Sequence, residues 1–135
     1  MDAKQQTESA LVQEFVVAAH GDIDRTRELL EANPALVNAT WDWGGGDWET
    51  ALGGASHMGR RDIAVVLLNA GARLDIFAAA MLGYLDIVRT AVAARPDTAR
   101  ILGPHGIPLL AHAEAGGEAA ADVVAFLKES LVASP

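Results

Sequence analysis

Four stretches of the chain share one plan, and that repetition constrains the fold more than any other feature of the sequence. Residues 14–38, 49–75, 76–100 and 107–130 each run through a small-residue segment, a glycine near its end, and a second segment with paired aliphatics. Small residues at Ala55 and Ser56, and at Ala78, Ala79 and Ala80, let one helix sit close to its neighbours. Gly59 and Gly83 permit the left-handed turn that ends it. Ile63, Val66 and Leu67 then fall at i, i+3 and i+4, one apolar face of a second helix. Ile87, Val88, Ala91 and Val92 repeat that face, as do Val123, Val124, Phe126 and Leu127. One helix pair of this kind cannot bury both its faces, so about three or more must stack. Asn33-Pro34 and Arg95-Pro96 follow second helices at matching positions, where proline stops a helix just past its end.

The second stretch is the clearest. Thr50, Leu52, Ala55, Gly59, Ile63, Leu67, Leu68, Gly71 and Ala72 stand where the ankyrin repeat carries its consensus residues, and over residues 11–130 the chain resembles that family. It departs at Ala51 and Gly53, where the family prefers Pro and His. The strings at 41–50, 55–59, 77–83 and 103–113 are also similar to a group of bacterial ankyrin-repeat proteins, a likeness that implies a fold and a bacterial origin and carries no reaction. The resemblance implies an all-α ankyrin-repeat solenoid of about four helix-turn-helix repeats. Spacing makes it uneven: Gly21 to Gly59, Gly59 to Gly83 and Gly83 to Gly116 are 38, 24 and 33 positions apart, against about 33 in a standard repeat. An enlarged finger loop therefore precedes repeat 2, and repeat 3 is shortened, passing almost directly into its helix. Residues 1–10 and 131–135 read as tails around a single domain at 11–130.

Composition supports helices over sheet, because 51% of residues are hydrophobic but only 5% aromatic, which leaves Ala, Val, Leu and Ile to build the core. A net charge of -8 repels phosphate backbones and anionic lipid, so neither nucleic acid nor membrane is an expected partner. Arg60 and Arg61 are adjacent but read as solvated helix positions. The absence of cysteine removes disulfides and thiolate metal sites. No signal-peptide pattern or long apolar run is present, so the expected location is cytoplasmic.

Three tryptophans crowd the long connection: Trp41, Asp42, Trp43, Gly44, Gly45, Gly46, Asp47, Trp48, Glu49. Three successive glycines mark a turn with positive φ. The indoles either cap the shortened repeat 3 or form a recognition platform. Gly103, Pro104, His105 and Gly106 mark a tight finger with His105 at its tip, and His112 follows on the next helix. If fingers and first helices share one side, as in the resembled family, then Trp41, Asp42, Trp43, Trp48, Glu49, His57, Met81, His105 and His112 line one groove, with repeat 3 as a notch.

Those residues serve either of two functions. The family implies a binding module that engages a protein partner through its fingers and concave face, as a monomer or weak dimer. The alternative is a small-molecule binder or cofactor-independent acid-base enzyme, with His57, His105, His112, Asp42, Asp47 and Glu49 as the candidate groups. Metal ligation by His57, His105, His112 and an Asp has no ligand pair at the local spacing of an established motif, so neither a metal nor a cofactor is expected. His20, just before Gly21, reads as a helix-end residue suited to the dipole.

Overall fold

The computed structural model describes residues 4–133, and the α-helices among them form four consecutive pairs. They are α1 (Ser9–Ala18) with α2 (Ile23–Ala32), α3 (Ala51–His57) with α4 (Arg61–Asn69), α5 (Ile76–Leu82) with α6 (Leu85–Ala94), and α7 (Leu109–Ala115) with α8 (Ala121–Ala133). The first helices form a continuous row in which α1 packs on α3, α3 on α5 and α5 on α7. Small residues make this approach possible: every residue from Ala51 to Ser56 of α3 is buried, as are Ala78 to Leu82 of α5. The second helices bury one face each, through Leu29 and Leu30, Ile63 and Leu67, Val88, and Val123 and Leu127. Ile87, expected on that face in α6, is instead exposed.

Helix α5 joins two halves of the core. Ala78, Met81 and Leu82 pack with α1 to α4, while Ala79 and Ala80 pack with Val88, Leu109, Val123 and Leu127. The two proline exits are equivalent, for 3-10 turns at Pro34–Asn38 and Pro96–Arg100 follow α2 and α6. Helix α1 begins two residues before position 11, and α8 continues to Ala133. Residues 1–3 and 134–135 of the expected tails lie outside the described residues. No described helix is long and apolar enough to cross a membrane.

Arg60 and Arg61 have structural work that sequence alone did not suggest. Arg60 donates to the Gly21 carbonyl at 2.8 Å, and Arg61 to the Leu82 carbonyl at 2.7 Å. Each cation thus satisfies a backbone oxygen at the end of a neighbouring first helix, where the dipole favours positive charge.

The short third connection is compensated by a side-chain cap. Asp75 Oδ1 accepts from the Ala78 N–H at 2.8 Å, so the seven-residue α5 starts without a finger before it. Asp75→Ala is expected to cost about 1 kcal/mol, visible as a lower thermal midpoint. An unchanged midpoint would show that packing alone sets the start of α5.

The long connection forms a β-hairpin, which composition did not foretell. Strands β1 (Thr40–Asp42) and β2 (Trp48–Thr50) pair antiparallel, with Trp41 opposite Glu49 and Asp42 opposite Trp48. Gly44, Gly45 and Gly46 all have positive φ, as the glycine run predicts. Asp42 Oδ1 accepts from the N–H groups of Gly44 and Gly46 at 2.9 and 3.1 Å, which fixes the turn.

Candidate functional site

Four separate segments converge on one carboxylate. Glu49, from β2, has a side chain with no exposed surface. Its Oε1 accepts from the Trp43 indole N–H at 3.0 Å and lies 3.0 Å from His20 Nε2. Its Oε2 lies 3.1 Å from His57 Nε2 and 3.3 Å from His105 Nε2. His20 follows α1, His57 ends α3, and His105 stands in the turn at Pro104–Gly106. Because α1 packs on α3, their corresponding ends meet, and the His20 and His57 rings are 4.9 Å apart.

Missing side chains make room for this gathering. A Cβ on Gly54 would stand 2.6 Å from His20 Cε1, and one on Gly53 would stand 3.3 Å from Glu49 Cγ. Gly53 therefore belongs to the site. It leaves on the surface of α3 the space that Glu49 occupies, and Gly54 does the same for His20.

The turn before α7 reaches back to the hairpin before α3. His105 donates its backbone N–H to Asp47 Oδ1 at 2.7 Å, and its ring Nδ1–H to Asp47 Oδ2 at 2.6 Å. The hairpin and the Pro104–Gly106 turn thus meet, and the notch expected between them is closed. His105 adopts φ +62°, the sole positive φ of a non-glycine among the described residues. Such conformations cost about 1–3 kcal/mol and persist where surrounding contacts impose them.

The second ring nitrogens are committed elsewhere. A carbonyl oxygen only accepts, so His20 Nδ1–H donates to Val16 O at 2.7 Å, as His105 Nδ1–H does to Asp47. In both residues Nε2 is the atom turned toward Glu49. Burial would raise the Glu49 pKa, but the hydrogen bond and charge of His20, the close approach of His57 and the Trp43 N–H outweigh it and hold this carboxyl well below the usual range. The bond to Glu49 in turn raises His20 above its ordinary value, against the opposing effect of burial. Asp47 is lowered, first by the His105 backbone N–H.

Two buried atoms in the cluster have no hydrogen-bond partner: Glu49 Oε2 and His57 Nε2, which face one another without hydrogen-bond geometry. A third such atom is Nε2 of His112. That ring is fully buried, lies tilted against Phe77 at 4.7 Å between centroids and donates through Nδ1–H to Pro108 O at 2.9 Å. Burial pushes its pKa down.

Of the residues singled out in the sequence, Trp43, Asp47, Glu49, His57 and His105 come together, with His112 behind His57 at 6.4 Å between rings. Others do not join them. Met81 is fully buried in the core, and Asp42 is occupied in capping the hairpin turn. Trp41 packs against the first core cluster, and Trp48 is 58% exposed. Both indoles, with Thr7, Ser9, Val12, Thr40 and Asp42, line a cavity of about 350 Å³ that the histidines do not reach. His20 was missed, although a signal existed: it stands at the end of a first helix, as His57 does. Chemically, the cluster offers imidazoles beside a carboxylate for proton transfer, and one ligand atom each from His20, Glu49, His57 and His105, all within 4.8 Å of one another. No protein-family model matches the chain, and no curated protein matches it.

Proposed function

We propose that the chain is an ankyrin-type stack whose finger side carries a binding centre for a small polar molecule, built around Glu49. The observation that supports this reading is the complete burial of that carboxylate beneath Trp43, His20, His57 and His105. Burying a charge costs several kcal/mol unless its partners compensate, and apolar residues of similar volume often serve stability as well or better. A stack of helix pairs has no need of such a centre for its own packing. Proteins retain costly arrangements of this kind where function demands them. The side chains of His20 and His105 remain 23% and 32% exposed, so the rim of the centre meets solvent.

A macromolecular interface is less well supported. It calls for aromatic anchors spread over about 800 Å² per partner, whereas the three indoles divide between core contact, the buried cluster and solvent. The test is equilibrium dialysis of the purified chain against a bacterial metabolite extract, read by mass spectrometry. The wild-type chain is expected to enrich a low-mass compound, and folded Glu49→Gln to lose it. Absence of enrichment, or equal enrichment by the variant, would end this reading.

A further inference from the structure

We propose that His20, Glu49, His57 and His105 form a binding site for one divalent first-row transition ion. The inference deepens the small-molecule reading by placing in the same centre a cation to which that molecule would attach, and it can fail separately from that reading.

Geometry comes first. Ligands bound at about 2.0–2.1 Å around a tetrahedral ion are about 3.4 Å apart. Glu49 Oε2 lies 3.1 and 3.3 Å from His57 and His105 Nε2, and His20 Nε2 lies 3.0 Å from the other oxygen, Oε1. All four donor atoms lie within 4.8 Å of one another, and a bound ion would draw the widest of them closer. Three imidazole nitrogens and one carboxylate oxygen select zinc, iron, nickel, cobalt or copper over magnesium and calcium, which prefer oxygen ligands.

The surrounding contacts point the same way. Histidines that ligate metals almost always donate the other ring N–H to a carbonyl or carboxylate, which fixes the tautomer and aims the lone pair. His20 does this with Val16 O, and His105 with Asp47 Oδ2. Without a metal, His20 bonds to Glu49 through Nε2; with their rings neutral, His20 and His105 would instead turn Nε2 lone pairs toward a cation held against the Glu49 oxygens. Protonating all three rings would place three positive charges around one carboxylate. A single divalent cation uses all four donors at once, including the two orphaned atoms, Glu49 Oε2 and His57 Nε2.

The chain has four histidines. Three are in this group, and the fourth, His112, lies behind His57. Because the ligands come from the turn after α1, the hairpin, α3 and the turn at Pro104–Gly106, no local spacing in the sequence could announce them. The net charge of -8 also draws cations toward the molecule.

The test uses the tag-free full chain, stripped with a chelator, dialysed and titrated with Co²⁺ and Zn²⁺. Calorimetry and the visible absorption of Co²⁺ are expected to saturate at one ion per chain, with Zn²⁺ displacing Co²⁺ and Mg²⁺ failing to compete. Glu49→Gln should weaken binding by more than about 100-fold, beyond the roughly 10–100-fold typical of outer-shell partners; Asp47→Asn should fall in that lower range. His105→Gly removes a ligand on an exposed turn and suits the positive φ there, so it folds even if a variant at Glu49 does not. It should lose binding to the same degree as Glu49→Gln. Absence of saturable one-to-one binding, or wild-type affinity in His105→Gly, overturns the site. Metal binding without metabolite enrichment overturns only the small-molecule reading, and enrichment without metal binding overturns only this one.

Discussion

Gly59→Val is expected to destabilise the chain by about 3 kcal/mol or more, read as a fall in the urea midpoint at an unchanged slope. Two costs add. Gly59 sits at φ +66°, a region that a β-branched residue enters only under strain of about 1–3 kcal/mol. A Cβ there would also overlap the carbonyl oxygen of Ala115, at the end of α7. Relief would require moving backbone, since the obstruction is a carbonyl and not a flexible tip. Overpacking of this kind typically costs another 1–3 kcal/mol or so. Gly83→Val should behave alike, as Gly83 has φ +82° and its added Cβ would overlap the Ala119 carbonyl. A wild-type midpoint in Gly59→Val would mean that the end of α3 shifts freely against α7.

Phe15→Ala carries the other large effect, a loss of about 3–5 kcal/mol. Phe15 is fully buried on α1, within the core cluster shared by α1 to α4 and part of α5. Its removal opens a cavity between helices that are already in close contact and cannot readily collapse. Total stability for a domain of this size is about 5–15 kcal/mol, so the variant should unfold at markedly lower urea. A loss below about 1 kcal/mol would mean that α1 contributes little to the cooperative unit. Val16, whose carbonyl fixes His20, lies next in the chain; loosening α1 should therefore also disturb the first of the cluster imidazoles.

The four helix pairs were legible because their signals are local. Paired aliphatics at helical spacing mark α2, α4, α6 and α8, small residues mark α3 and α5, and glycines mark several of the helix ends. Even there, Ile87 shows the limit of period alone, since α6 rotates Val88 inward and leaves its neighbour in solvent. Turn chemistry predicted the tight features at Gly44 to Gly46 and at His105. The strands were not foreseen because they are three residues each and pair only with one another.

The site was legible only in part. Trp43, Asp47, Glu49, His57 and His105 stood out as chemically able residues near unusual turns. Their mutual distances depend on two absences that carry no chemical signal of their own: a missing third finger and missing Cβ atoms on Gly53 and Gly54. His20 was passed over because a histidine at a helix end has a sufficient local explanation. The expectation of no metal rested on spacing along the chain, which does not register side chains that meet only through tertiary contact.

The clasp between Asp47 and His105 spans 58 positions of the chain and brings together parts of the second and fourth pairs, while His20 draws in the first. No sub-array of adjacent pairs can assemble the full cluster alone, so its completion requires the whole row. Linear repeat arrays ordinarily fray from their ends at little cost to the middle. In this chain, anything held at Glu49 would favour the state with both ends closed, coupling the outermost pairs through a link that their nearest-neighbour packing does not provide.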